Sequence, residues 1–176
     1  MLLRKINAGA SLLTTTLLLF HAISIAFWML SRGEIARPSG LISWVLVGCM
    51  AFHAFFSIDL AISAHTDGGK HIGKKYTLLN RETIVQRVSG VLLILFTALH
   101  IAGATGAMTP PPAVHAVVPV LFFAMAMAHT AISAGRAFIT LGIGDMKVFK
   151  VVNIAVKVIC ATTLIADVIG FYLFVC

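Results

Sequence analysis

Five apolar runs follow one another along the chain, and glycine, proline or charged residues interrupt them. Each run reaches about the 20 residues that an α-helix needs to cross the roughly 30 Å hydrocarbon layer of a bilayer. The pattern predicts an all-α fold: an integral membrane bundle of five transmembrane helices. Residues 1–176 are predicted to form a single domain. The predicted helices are Ile6–Leu30, Leu41–Ala64, Glu82–Gly106, Pro112–Thr140 and Val148–Val175.

Composition supports the bilayer as the solvent of this chain. Hydrophobic residues make up 60% of the 176 residues and charged residues 11%, whereas a soluble domain carries about 25% charged residues. Mean hydropathy is +1.02. The first apolar run follows Arg4 and Lys5 as in a signal peptide, but it is long enough to span and no convincing small-residue cleavage motif follows. These features favour a retained helix.

The three cysteines carry no metal or disulfide pattern. Cys49, Cys160 and Cys176 are scattered in or beside apolar runs. Their spacing predicts neither a disulfide framework nor a structural zinc site. No Cys-x-x-Cys-His sequence is present, which argues against covalently attached haem.

The formal net charge of +7 does not indicate nucleic-acid binding, because the positive residues cluster between apolar runs. Lysine and arginine in such positions mark the cytoplasmic side of a membrane protein. With the N-terminus cytoplasmic and the C-terminus outside, all but two of the 13 Lys and Arg residues lie inside, the exceptions being Arg32 and Arg37. We therefore predict this topology in a bacterial or archaeal cytoplasmic membrane.

Four of the seven histidines lie inside apolar runs, one on each of the first four helices: His21, His53, His100 and His129. A polar ring in hydrocarbon is costly, so each is a candidate functional residue. A single such histidine would be explained by a hydrogen bond to a neighbouring helix. Four on successive helices favour a binding role instead.

Depth divides these histidines into two pairs. By helix rise, His21 and His100 lie about 13 and 9 Å from the outer ends of their helices, and His53 and His129 about 18 and 26 Å. The histidines therefore form an outer pair on helices one and three and an inner pair on helices two and four. Two haems stacked across a membrane, each with two axial histidines, need such an arrangement.

The remaining histidines carry weaker signals. His65 and His71 flank a glycine-rich cytoplasmic turn and are predicted to be solvated or at a subunit contact. His115 precedes His129 by fourteen residues, which places it on roughly the same helix face. It is a reserve candidate for a haem ligand or a quinone contact.

Several segments resemble one family in register. Gln86-Arg87-Val88-Ser89-Gly90, with His100 ten residues later, resembles the third helix of the dihaem cytochrome b subunit of succinate:quinone oxidoreductases and quinol:fumarate reductases. Phe52-His53-Ala54 is similar to that family's inner haem ligand segment, and the stretch from His129 to Gly142 to its partner. His21 fits the remaining ligand. The resemblance covers helices one to four in order.

The resemblance implies that His21 and His100 bind the iron of a distal haem b, and His53 and His129 that of a proximal haem b. It implies a membrane anchor and electron-transfer subunit of a succinate dehydrogenase or fumarate reductase complex. The partners would be an iron–sulfur subunit and a flavoprotein subunit on the cytoplasmic face. The quinone would be menaquinone rather than ubiquinone. A basic cytoplasmic loop contains Lys70, Lys74 and Lys75. Either this loop docks a partner subunit, or it only marks the topology of the chain.

No flavin, iron–sulfur or dicarboxylate motif is present in the chain. The chain would therefore act as an oxidoreductase only as a subunit of the complex. A dimer of complexes remains open.

Four polar residues are candidates to support the cofactors. Arg87 and Arg136 are predicted to pair with haem propionates, because a guanidinium binds a carboxylate bidentately. The alternative for each is a cytoplasmic anchor. Gln86 and Ser89 are candidates for hydrogen bonds to a propionate or to a quinone.

Three carboxylates call for an explanation. Glu34 is the only one in the predicted outer loops and is a candidate proton acceptor in quinol oxidation. The alternative is a solvated residue paired with Arg32 or Arg37. Asp59 and Asp167 lie within apolar runs, so each is predicted to face the bundle interior or a partner.

Two other functions stay open. The first is a b-type cytochrome anchor of another respiratory dehydrogenase, such as a hydrogenase or formate dehydrogenase, against which the matched segments argue. The second is a haem-free transporter or channel whose histidines line a proton or metal path. Such a path needs ligands along one route, whereas these histidines divide into two pairs on alternating helices.

Overall fold

The computed structural model describes the backbone of residues 2–35, 37–67, 81–108, 112–144 and 146–175, and their side chains except at 64–67, 81–83, 112–116, 146 and 175. Each of its five helices contains a span long and apolar enough to cross a membrane. The predicted all-α bundle of five transmembrane helices is therefore confirmed. The helices are α1 Leu2–Leu30, α2 Gly40–Asp67, α3 Arg81–Ala104, α4 Pro112–Leu141 and α5 Met146–Val175.

The helices begin and end close to the predicted positions. α1 begins four residues earlier than predicted, so Arg4 and Lys5 belong to the helix. Their long side chains can reach the polar interface from a helix end. α3 ends two residues early because Gly106 adopts a φ of 73°, the left-handed conformation that terminates helices. Gly142, with a φ of 72°, ends α4 in the same way.

The turn after α1 is held by backbone and aromatic contacts. The Gly33 N–H donates to the Trp28 carbonyl and the Arg32 N–H to the Met29 carbonyl, each at 3.0 Å. Arg32 has a φ of 52°, as the C′ residue of a Schellman motif does. The Trp28 ring packs against Phe174 of α5, with centroids 4.5 Å apart. The Arg37 guanidinium lies 5.4 Å from the centroid of the same ring. These contacts join the end of α1 to the end of α5.

The helices pack in a definite order. α1 packs against α2, α4 and α5, and α4 also packs against α3 and α5. The order across the bundle is therefore α2, α1, α4, α3, and α5 lies against both middle helices. In the membrane spans of α2 and α3 only 6% and 11% of residues are buried, against 28–33% in the other three. α2 and α3 thus flank the bundle and do not form its centre.

Small residues let the central helices approach closely, as is common in membranes. A Cβ added at Gly170 of α5 would lie 3.1 Å from the Cβ of Met29 in α1. One added at Gly135 of α4 would lie 3.0 Å from Oδ1 of Asn153 in α5. Three central helices, α1, α4 and α5, therefore form the rigid part on which the candidate site is built.

Candidate functional site

The intramembrane histidines lie on the four helices that follow one another across the bundle. His53 belongs to α2, His21 to α1, His129 to α4 and His100 to α3. The side chains of His21, His53 and His129 are half-buried, and that of His100 is exposed. The imidazoles are therefore not sealed inside a side-chain core, and a ligand could reach them.

A hydrogen bond fixes the register of α1 against α2. Ser57 Oγ of α2 donates to Asn7 Oδ1 of α1 at 3.3 Å. From this level, His21 is displaced about 21 Å along α1 and His53 about 6 Å along α2 in the same direction. We call the end of the bundle at the α1–α2 turn the outer end. His21 then lies about 15 Å closer to the outer end than His53.

Two contacts fix the register of α3 against α4 in the same way. Ser89 Oγ of α3 lies 3.0 Å from His129 Nδ1 of α4. Closer to the outer end, the rings of His100 and Phe122 stack with centroids 4.9 Å apart and planes at 15°. By helix rise, His100 lies about 10–16 Å closer to the outer end than His129. The four imidazoles therefore occupy two levels of the bundle.

Each level holds one ring from each side of the bundle. His21 and His100 lie close enough for a charge on one ring to act on the other, and so do His53 and His129. Coulomb interactions fall off with distance, so the two rings of each pair lie near each other. One pair of rings belongs to α1 and α3, and the other to α2 and α4. Among the described residues, these helices make at most marginal backbone contact with each other. The two rings of each pair therefore belong to helices that are not closely packed against each other.

The His129 ring is held in one tautomer. Its Nδ1 lies 3.1 Å from the backbone carbonyl oxygen of Gln86 and 3.0 Å from Ser89 Oγ. The Ser89 hydroxyl itself donates to the Gln86 carbonyl at 3.2 Å. A carbonyl oxygen only accepts hydrogen bonds, so Nδ1 carries the hydrogen. The Nε2 lone pair is then available to a metal.

The segment that supports His129 includes a glycine for a steric reason. A Cβ added at Gly90 would lie 3.2 Å from Cε1 of His129, so a larger residue would press on the ring. The Gln86 side-chain oxygen accepts a hydrogen bond from Arg136 at 3.0 Å. Ser89 is buried, with 3% of its surface exposed. Gln86, Ser89 and Gly90 thus form a support for the ring of His129, a role that the sequence did not indicate.

Two other imidazoles have nitrogens that lack a partner in the described part of the chain. His21 Nδ1 and His53 Nδ1 are buried and form no hydrogen bond there. Leaving a buried polar group unsatisfied costs about 1–3 kcal/mol. A ligand bound in this region would satisfy these atoms.

Sequence reasoning missed two threonines in the same region. Thr14 Oγ1 of α1 and Thr97 Oγ1 of α3 are buried and form no hydrogen bond with any described residue. Hydroxyls in helices usually bond to a carbonyl one turn earlier, as Thr16 does at 3.0 Å. That common behaviour gave no reason to single out Thr14 or Thr97.

The predicted charged residues lie in different surroundings. Arg87 is exposed at the inner part of α3, and Arg136 is half-buried on α4. Glu34 is exposed in the turn between α1 and α2. Asp59 of α2 is also exposed, so it does not face the bundle interior. The other predicted alternative, that it faces a partner, stays a prediction. Several other predicted features fall outside the described residues: the loop with Lys70, His71, Lys74 and Lys75, and the side chains of His65 and His115.

Asp167 of α5 faces the interior, as predicted. Its side chain has no exposed surface, and neither carboxyl oxygen has a hydrogen-bond partner among the described residues. By helix rise it lies about 12 Å from the outer end of α5. It does not belong to a metal cluster, because the described residues contain no group of three or more His, Cys, Asp or Glu placed to hold a metal ion.

Fold and sequence together define the class: an all-helical, multi-pass membrane protein with a histidine in each of its first four membrane-spanning helices. No protein-family model, no curated protein and no solved structure matches the chain. Its function is therefore inferred from its own residues.

We expect Ser89→Ala to lower the free energy of unfolding by about 0.5–1.5 kcal/mol, because it removes a hydrogen bond between α3 and α4. Ser24→Ala is the matched control, since the Ser24 hydroxyl donates only to the Phe20 carbonyl of its own helix. Unfolding of both variants in mixed detergent micelles, followed by circular dichroism, gives the comparison. Equal stability of the two variants would show that Ser89 does not hold His129.

Proposed function

We propose that this chain is a dihaem cytochrome b, the membrane anchor and electron-transfer subunit of a succinate dehydrogenase or fumarate reductase complex. One observation supports the proposal: imidazoles from the two sides of the bundle lie near each other at two levels. A transport path would instead need ligands along one continuous route. The resemblance of residues 86–90 and of Phe52-His53-Ala54 to the dihaem family supports the same function.

The residues present fit two haems b. Each level offers two imidazoles, the number of protein ligands that a bis-histidine haem iron takes, and helices of a bundle are a common place for such cofactors. The His129 Nε2 lone pair is available because Nδ1 is bonded to Gln86 and Ser89. Nδ1 of His21 and Nδ1 of His53 have no hydrogen-bond partner among the described residues, so these atoms are available to a ligand. When bound, each haem would supply a one-electron carrier.

Protein groups around the ligands would tune and orient them. A hydrogen bond to the second imidazole nitrogen fixes ring orientation and raises ligand basicity, which is the role we assign to Gln86 and Ser89 at His129. Phe122 lies flat against the His100 ring and restricts its rotation. We assign Arg87 and Arg136 to the propionates of the inner haem, since both are near the inner level and guanidinium groups bind carboxylates well.

Partners and orientation follow from charge. Lysine and arginine are concentrated at the inner end, which we place in the cytoplasm by the positive-inside rule. Iron–sulfur and flavoprotein subunits would bind at this end, in the cytoplasmic membrane of a bacterium or archaeon. The quinone, menaquinone by the family resemblance, would exchange electrons with the haems. Glu34 is exposed at the outer end, where it would accept protons from quinol.

Haem content tests the proposal. We expect the wild-type chain to carry two haems b, and each of the four variants His21→Ala, His53→Ala, His100→Ala and His129→Ala to retain about one, because a single imidazole holds a haem poorly. Pyridine haemochrome assays on purified protein measure the ratio. His71→Ala is the matched control and should retain both. A folded wild-type chain without haem, from cells able to supply it, would overturn the proposal.

Glu34 gives a separate test in the assembled complex. We expect Glu34→Gln to lower quinone-linked turnover by about 10²-fold or more, the contribution of a positioned proton acceptor, with both haems retained. Asp59→Asn, which alters an exposed carboxylate on α2, should leave turnover unchanged. Wild-type turnover in Glu34→Gln would exclude Glu34 as the acceptor.

A further inference from the structure

A groove lies on the surface between α1 and α2, beside the inner half of α1. Its volume is about 390 Å³, and it is open to the surroundings of the bundle. The walls are apolar or small except for one lysine: Lys5, Ile6, Gly9, Ala10 and Leu13 of α1, and Gly48, Cys49 and Phe52 of α2. By helix rise, the groove extends about 12 Å along α1 from Lys5 to Leu13.

Two glycines leave space for the groove, and neither is needed for close packing of one helix against another. A Cβ added at Gly9 or Gly48 would meet no atom within 4 Å, whereas glycines that allow helices to approach, such as Gly170, have close neighbours. Leu13 and Phe52 flank the space, with 54% and 50% of their surfaces exposed. On a membrane-spanning surface an apolar groove is filled by hydrocarbon, because an empty one loses dispersion contacts.

A cation closes one end of this hydrocarbon groove. Lys5 lines it, and Arg4 beside Lys5 is also exposed. Among the described residues, no carboxylate pairs with the Lys5 ammonium group. A positive charge at the membrane interface, above an apolar channel, matches an anionic phospholipid, which carries a negative phosphate above its acyl chains.

We propose that this groove binds one anionic phospholipid, with an acyl chain between α1 and α2 and the headgroup phosphate at Lys5. A second copy of the chain suits the site less well, because each copy carries a net charge of +7 and would bring like charges together. The site uses none of the four intramembrane histidines, so it stands whether or not the chain carries haem.

Native mass spectrometry of the full chain in detergent tests the site with two probes, dioleoylphosphatidylglycerol and dioleoylphosphatidylcholine. We expect one tightly held phosphatidylglycerol per wild-type chain. Lys5→Gln should weaken that binding about fivefold, the contribution of one basic residue near an anionic membrane surface. Gly48→Leu should abolish it, because the leucine side chain fills the groove.

Matched controls separate the groove from general effects. Gly103→Leu adds the same side chain where a Cβ also meets nothing within 4 Å, and Lys150→Gln removes another exposed lysine; both should bind as the wild type does. The free Cys49 thiol gives a second readout: phosphatidylglycerol should slow its alkylation, mapped by peptide mass spectrometry. Wild-type binding in Gly48→Leu, equal binding of the two lipids, or Cys49 protection through dimerisation without lipid would overturn the proposal.

Discussion

The cost of placing imidazole rings in hydrocarbon governs the rest of this structure. An apolar solvent cannot hydrogen-bond the ring nitrogens, so each ring needs a partner from the protein or from a ligand. His129 obtains one at Nδ1 from Gln86 and Ser89. The Nδ1 atoms of His21 and His53 obtain none within the described residues. The proposed haems would supply the partners that these unsatisfied nitrogens lack.

The order of the helices places the two rings of each pair on helices that are not direct neighbours. α2 packs mainly against α1, and α3 against α4. His21 of α1 nevertheless lies near His100 of α3, and His53 of α2 near His129 of α4. Close packing of α1, α4 and α5 through small residues supplies the rigid frame. Paired imidazoles at two levels, about 10–16 Å apart along the bundle, would place two one-electron carriers in sequence between the two membrane faces.

Sequence alone predicted the five helices and most of their ends, because apolar runs of membrane length and the glycine stop at Gly142 are local signals. It did not predict which helices touch, since every face of such a helix is apolar and hydrophobicity does not mark the buried one. It also did not predict the support of His129 by Gln86 and Ser89, which depends on the register of α3 against α4. Asp59 shows the same limit: the pattern marked it as unusual but did not reveal that it is exposed.

The most direct test of the paired levels is a potentiometric titration, followed by optical spectroscopy, of the wild-type chain and its four single histidine-to-alanine variants. The account predicts two redox components in the wild type. His21→Ala and His100→Ala should lose or shift one of them, and His53→Ala and His129→Ala the other. If His21→Ala and His53→Ala instead alter the same component, or if the folded protein has no component, the pairing across the bundle is wrong.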